Sequence, residues 1–221
     1  MEPKLQLNSS ALAGEPEISG SLHGGLDTLR AGRPIILYDG TREIEGDIAF
    51  AAAFTTKEQV NLCLKHARGL LCVALPPDDA LRIGVQRLHS EDSHTGATPF
   101  GMPIDLAGLD HATSASSRAA TIRATADRSN LRKQFVIPGH LTTLVGHPLG
   151  LRGRFGHTEC ILDLLMLAGI GGPGVLCEVL GEDGEMAGLD ELRDLANRIQ
   201  LPLIDVSEVR ELTTRIHRET R

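Results

Sequence analysis

What most constrains this chain is the alternation of short apolar runs of strand length with segments of helical period, clearest in its last third. Thr158–Ala168 is a strongly apolar helical stretch closed by Gly169, and residues 173–180 read as a strand. Leu189–Ile199 reads as an amphipathic helix, residues 201–206 as a strand, and Ser207 as the cap of a last helix. Further upstream, strands are expected at 34–38, 47–54, 70–75, 100–106 and 140–145. Helices are expected at 25–32, 56–67, 77–83 and 115–126, the second with Thr55 or Thr56 as N-cap and Gly69 just past its end. Loops are expected at 88–99 and, more basic, at 127–139. Such a sequence folds as α/β (α+β): a single domain with a mixed β-sheet layered with helices. Residues 1–20 read as a loosely held leader and 21–221 as the domain. With aromatics at 3% and no Trp, the core has to be built from Leu, Ile, Val and Ala.

A net charge of −7 argues against a nucleic-acid footprint, which needs clustered Lys and Arg, but leaves room for a basic pocket around a small anion. No apolar run approaches a membrane span, and no signal peptide is visible. Cys63, Cys72, Cys160 and Cys177 form no C-x-x-C pair. Reduced thiols in a cytoplasmic protein are therefore expected.

Arg42-Glu43-Ile44-Glu45-Gly46-Asp47 packs three carboxylates and a guanidinium into six residues just after a strand and a turn. In an extended segment Glu43, Glu45 and Asp47 share a face, and grouped hard oxygens suit Mg2+. Taken alone, the run also reads as a solvated charged turn. Arg154-Phe155-Gly156-His157-Thr158-Glu159 feeds the apolar helix, where free N–H groups and the helix dipole favour phosphate. Arg154 offers a bidentate contact and Thr158 a hydroxyl, while His157 is a metal ligand or an acid/base; plain capping by Thr158 is the competing reading. Pro138-Gly139-His140 precedes a strand. Glu178 sits between apolar neighbours, where a carboxylate needs a cation, a metal or a task. Cys72, in a strand, reads from its setting as a small core residue.

In order, these segments resemble the 3,4-dihydroxy-2-butanone 4-phosphate synthase family of riboflavin biosynthesis, from about residue 22 to 212. The matching motifs are R-E-x-E-G-D at 42–47, G-L-x-C-V at 69–73, T-x-F at 98–100 and S-A-x-x-R at 114–118. P-G-H at 138–140, R-x-G-H-T-E at 154–159 and G-V-L-C-E at 174–178 complete the set.

The resemblance implies a homodimer with active sites near the subunit interface. It also implies Mg2+ (or Mn2+) as cofactor and a phosphosugar substrate, D-ribulose 5-phosphate, converted to the butanone phosphate and formate. Glu43 and His157 are then the metal ligands. Arg42, Asp47, Arg154, Gly156 and Thr158 are the substrate contacts, and His140, Glu178, Glu45 and Cys72 the catalytic group. Three positions depart from the family pattern: Tyr38 where a carboxylate is usual, His111 for Thr and Ser117 for Asp. They keep open an alternative, a diverged paralogue doing a related enolisation, rearrangement or lyase reaction in specialised metabolism.

Overall fold

A computed structural model describes residues 19–88 and 97–219. The leader expected at 1–20, apart from its last two residues, and most of the 88–99 loop lie outside these residues.

The sheet has seven strands: β1 (Ile35–Asp39), β2 (Glu45–Ala51), β3 (Arg68–Leu75), β4 (Phe100–Leu106), β5 (Phe135–Val145), β6 (Gly174–Val179) and β7 (Leu203–Asp205). Their spatial order is β4-β5-β3-β6-β2-β1-β7. The β1–β7 and β3–β5 pairs are parallel and the rest antiparallel, so the mixed sheet expected from the sequence is present.

Among the described residues seven α-helices cover it: α1 (Gly20–Arg30), α2 (Lys57–Leu62), α3 (Pro77–Ile83), α4 (Ala115–Ala126), α5 (His157–Leu167), α6 (Leu189–Ile199) and α7 (Val206–Glu219). Alternation along the strands sorts the core into two layers. Ile36, Ile48, Val73 and Cys177 pack under α2, α3, α4 and α6. Leu37, Ala49, Cys72 and Leu176 face the other way, under α1, α5 and α7. Both layers are almost wholly aliphatic, as the shortage of aromatics demands.

Local chemistry sets the boundaries. Thr56 Oγ1 accepts from the Gln59 backbone N–H at 3.2 Å, and Gln59 Oε1 accepts from the Thr56 N–H at 2.9 Å, a reciprocal cap that opens α2. The helix runs on through a π-type turn at Cys63–Ala67 and ends at Arg68, which takes φ +70. Gly69 is thus the second residue of β3 rather than a helix terminus. Its lack of a side chain matters across the sheet, where a Cβ would come within 2.4 Å of the Glu178 carbonyl oxygen. Two capping expectations change. Gly156, not Thr158, precedes α5 as its N-cap, and Thr158 lies buried in the first turn. At α7 the cap is Asp205, whose Oδ1 accepts from both the N–H and the hydroxyl of Ser207. β5 starts five residues ahead of its expected position, within the basic stretch read as irregular.

Candidate active site

The β1–β2 connection is organised by one side chain. Asp39 is buried, and its Oδ1 accepts from the Thr41 N–H, the Thr41 hydroxyl and the Arg42 N–H, while Oδ2 accepts from the Glu43 N–H. Burial works to raise the Asp39 pKa, but these hydrogen bonds, led by that from Glu43, hold the carboxyl below its usual range. Asp39 therefore shapes the loop directly behind Tyr38, one of the three positions that depart from the pattern of the resemblance. Within the loop Ile44 takes φ +52, a left-handed conformation that is rare for a β-branched residue. Glu43 therefore does not join Glu45 and Asp47 on an extended face, as the sequence suggested. It is swung in by the turn.

All three carboxylates nevertheless meet at His157. Asp47 Oδ2 is 2.8 Å from His157 Nδ1, and Glu43 Oε2 and Glu45 Oε1 are each 3.5 Å from it. Glu45 and Asp47 point into the second layer because they alternate with Gly46 and Ile48 along β2. His157 opens α5, and Glu43 Oε2 accepts from its backbone N–H at 3.0 Å, so a loop carboxylate caps the helix N-terminus. Arg154 holds the other Glu43 oxygen at 3.1 Å and Glu159 Oε2 at 2.7 Å. A Cβ at Gly156 would lie 2.1 Å from Arg154 Nη1 and 2.9 Å from Glu43 Oε1, so the ion pair occupies the space that any larger residue would need.

His157 is 3% exposed, and neither ring nitrogen has an aligned hydrogen-bond partner, close as the carboxylates are. Burial works against the imidazolium, but Asp47, Glu45 and Glu43 outweigh it and push the pKa up to about 10. Ligand atoms of Glu43, Glu45 and His157 lie within 4.8 Å of one another. Two hard carboxylates beside an imidazole whose nitrogens lack aligned partners fit a divalent cation of the Mg2+ or Mn2+ kind. In such a site the metal takes the place of the ring proton.

Glu178 stands opposite Asp47 in the β2–β6 register. Burial raises its pKa, the Leu70 N–H donating to Oε2 at 3.1 Å opposes the rise, and the charges of Asp47 and Glu45 add to it. Cys72 lies 4% exposed in the second core layer, its thiol pushed up by burial, then by Asp47 and Glu178. Arg42 is exposed on the loop.

His140 is not in this cluster. It belongs to β5, three strands from β2, or about 14 Å at the usual strand spacing. Its side chain is 62% exposed and its Nδ1 lies 2.6 Å from Asp105 Oδ2. The departures His111 and Ser117 precede or open α4, which packs on the first layer, on the opposite side of the sheet from the cluster.

Asp39, Glu159 and Asp105 were not singled out from the sequence, though each left a mark there. Asp39-Gly40-Thr41 is a turn in which Asp accepts from backbone two residues on. Asp105, 7% exposed, sits between apolar neighbours, the anomaly that drew attention to Glu178, and Glu159 closes the R-x-G-H-T-E run, 0% exposed.

The 3,4-dihydroxy-2-butanone 4-phosphate synthase family profile matches residues 25–212. The chain is 35% identical over 197 residues to the 3,4-dihydroxy-2-butanone 4-phosphate synthase of Hamiltonella defensa, covering 88% of this chain and 90% of that one. It is 37% identical over 201 residues to the riboflavin biosynthesis protein RibBA of Bacillus velezensis, covering 88% and 50%. The chain thus spans about half the length of that and several other curated relatives. Among solved structures, a synthase in complex with two magnesium ions superposes with a TM-score of 0.79 at 25% identity, covering 85% of this chain and 93% of that one. The Candida albicans synthase superposes with a TM-score of 0.80 at 29% identity, covering 88% and 98%.

Proposed function

This chain belongs to the 3,4-dihydroxy-2-butanone 4-phosphate synthase family, and from that premise we propose that, with Mg2+ bound, it converts D-ribulose 5-phosphate to 3,4-dihydroxy-2-butanone 4-phosphate and formate, a step of riboflavin biosynthesis. The observation that carries this reading is the convergence of Glu43, Glu45 and His157, with both His157 ring nitrogens lacking an aligned partner. When bound, the divalent ion supplies Lewis-acid polarisation of neighbouring ketose oxygens.

The chain's own residues do the rest. Glu43, Glu45 and His157 hold the ion. Asp47 carries negative charge beside the His157 ring, 2.8 Å from Nδ1. Arg154 clamps Glu43 against the N-terminus of α5, so its charge serves the ligand set as well as a passing phosphate. Arg42, Gly156 and Thr158, gathered at the N-terminus of α5 beside the Glu43 cap, form the phosphate end of the pocket. Glu178, held above the usual carboxylate range, carries protons between carbon and oxygen at the sugar's C3 side. Cys72 packs beneath it.

His140 joins through a second copy of the chain. The β3–β4–β5 limb leaves Leu70, Phe100, Val136 and His140 exposed, an apolar rim around an imidazole. A homodimer that covers this limb brings His140 of one copy toward the cluster of the other. Four free, buried cysteines support a reducing, cytoplasmic setting. No described helix is long and apolar enough to cross a membrane. The diverged-paralogue alternative is not favoured: the curated relatives carry the synthase name, and His111 and Ser117 stand away from the cluster of their own chain.

The direct test is incubation of D-ribulose 5-phosphate carrying 13C at C4 with protein and Mg2+, followed by NMR. Labelled formate is expected, and chelation abolishes it; intact substrate after long incubation overturns the reading. Mixing inactive His140→Gln with inactive Glu43→Gln protein tests the dimer. Shared sites recover part of the activity in the mixed dimers, whereas self-contained sites recover none.

A further inference from the structure

The β4–β5 pair is irregular where His140 emerges. Ile104 faces Leu141, yet its neighbour Asp105 faces Val136, so residues 137–140 have no counterpart on β4. A bulge of this kind re-aims a side chain out of the ladder. Asp105 sits at its mouth. One oxygen, Oδ2, takes both the His140 backbone N–H at 3.1 Å and the His140 ring at Nδ1, 2.6 Å away. The other oxygen, Oδ1, is buried with no partner. Asp105 is 7% exposed, between Ile104 and Leu106, so the chain keeps a poorly solvated carboxylate whose polar contacts among the described residues run to His140. Gly139 completes the arrangement: a Cβ there would lie 2.3 Å from the Ile104 carbonyl carbon and 2.8 Å from Asp105 Cγ. The absence of that side chain lets β5 come close enough for the grip.

We propose that Asp105 is the positioning residue of His140, fixing its ring so that Nδ1 carries the proton donated to Asp105 and Nε2 is the nitrogen presented outward. The chemistry is that of a carboxylate selecting an imidazole tautomer, as in hydrolytic triads, on an unrelated scaffold. The proposal rests on the reading that His140 takes part in the reaction. It accounts for how a mostly exposed histidine, free to turn about its own bonds, comes to have a defined reactive atom.

The test combines kinetics with long-range 15N–1H NMR of histidine-labelled full-length protein near pH 8, the His140 signals being assigned by their loss in His140→Gln. Wild type is expected to show His140 protonated at Nδ1, and Asp105→Asn to move it toward the Nε2–H form. With D-ribulose 5-phosphate and Mg2+, Asp105→Asn is expected to lower kcat on the order of 100-fold while KM stays within about twofold, in line with the loss of one well-placed proton-transfer group. Asp105→Glu, which keeps the charge, recovers part of that loss. The double variant Asp105→Asn/His140→Gln is no slower than His140→Gln alone, because both changes remove the same contribution. Wild-type His140 protonated only at Nε2, the same tautomer in wild type and Asp105→Asn, or losses that multiply in the double variant would each overturn the proposal. A protein that leaves ribulose 5-phosphate intact sinks the functional reading instead, and the tautomer measurement still decides this one.

Discussion

Two imidazoles of this protein are held by carboxylates in opposite ways. His157 is buried at the start of α5, ringed by Glu43, Glu45 and Asp47, and fixed from three directions by a loop, a strand and a helix. His140 stands on a bulged strand, mostly exposed, with one carboxylate behind it. The first is built for a cation: several anionic oxygens, little water, and no freedom to drift. The second stands at an exposed surface which, in the function proposed above, a second copy of the chain completes. Electrostatic order in the first is inseparable from folding, because Glu43 is at once helix cap, ion-pair partner and candidate metal ligand. In the second it is separable, because little else leans on the His140 ring.

That contrast is sharpest in a pair of substitutions. Glu43→Gln removes a charge from the cluster and from the Arg154 pair together. It is expected to cost activity on the order of 1000-fold, to weaken Mg2+ binding strongly by calorimetry, and to lower the melting temperature as well. His140→Gln is expected to cost about 100-fold or more in kcat, with Mg2+ affinity and melting temperature close to wild type. A clear loss of stability in the His140 variant, or none in the Glu43 variant, would erase the distinction.

Two glycines sharpen it further. Gly156 borders the tip of Arg154, and Gly139 borders the backbone of β4. In Gly156→Ala a side chain gives way. Arg154 shifts, Glu43 loses its clamp, and Mg2+ affinity is expected to fall about tenfold with about 1–2 kcal/mol of stability lost. In Gly139→Ala nothing flexible stands in the way. The strands have to part, and the expected result is a larger stability loss, with Mg2+ affinity per folded molecule unchanged. Thermal unfolding with and without Mg2+ separates the two.

How much of this could be read from the chain depends on the range over which each contact acts. The strands and helices were legible because apolar alternation and caps are local, and α4 at Ala115–Ala126 falls on its expected residues. The cluster was legible as a set, since R-E-x-E-G-D and R-x-G-H-T-E are rich in ligand types. The route by which Glu43 reaches it was not, because that depends on a left-handed residue, Ile44, held in a loop ordered by Asp39. Arg154 was read as a free phosphate contact. Only the packing of the β1–β2 loop against the start of α5 shows that it is bound to Glu43 and Glu159. The separation of His140 from the cluster follows from strand order alone, which no local pattern encodes.

The smallest effect concerns a carboxylate that supports the loop ahead of α5 rather than the cluster itself. Asp163, on α5, accepts from the Leu151 N–H at 3.0 Å, while burial pushes its pKa up to about 6 from an ordinary 3.8. The charge of Glu159 adds to the rise, and the Leu151 hydrogen bond and Arg152 oppose it. Between those two values the folded chain binds more proton than the unfolded one, so stability falls as pH rises through the window and the full cost is present above it. Asp163→Asn removes the charge and keeps an oxygen for Leu151. Above pH 7 the variant is therefore expected to be more stable than wild type by about 1–2 kcal/mol, less than the full shift implies because the group is partly exposed to water. Below pH 4 the gain is expected to vanish. Denaturant unfolding of both proteins from pH 4 to 8 measures it, and a gain independent of pH would show that packing, not charge, sets the stability of this loop. The His157 cluster, tied to the same helix nearly two turns earlier, would then owe its placement to fit rather than to the balance of buried charge.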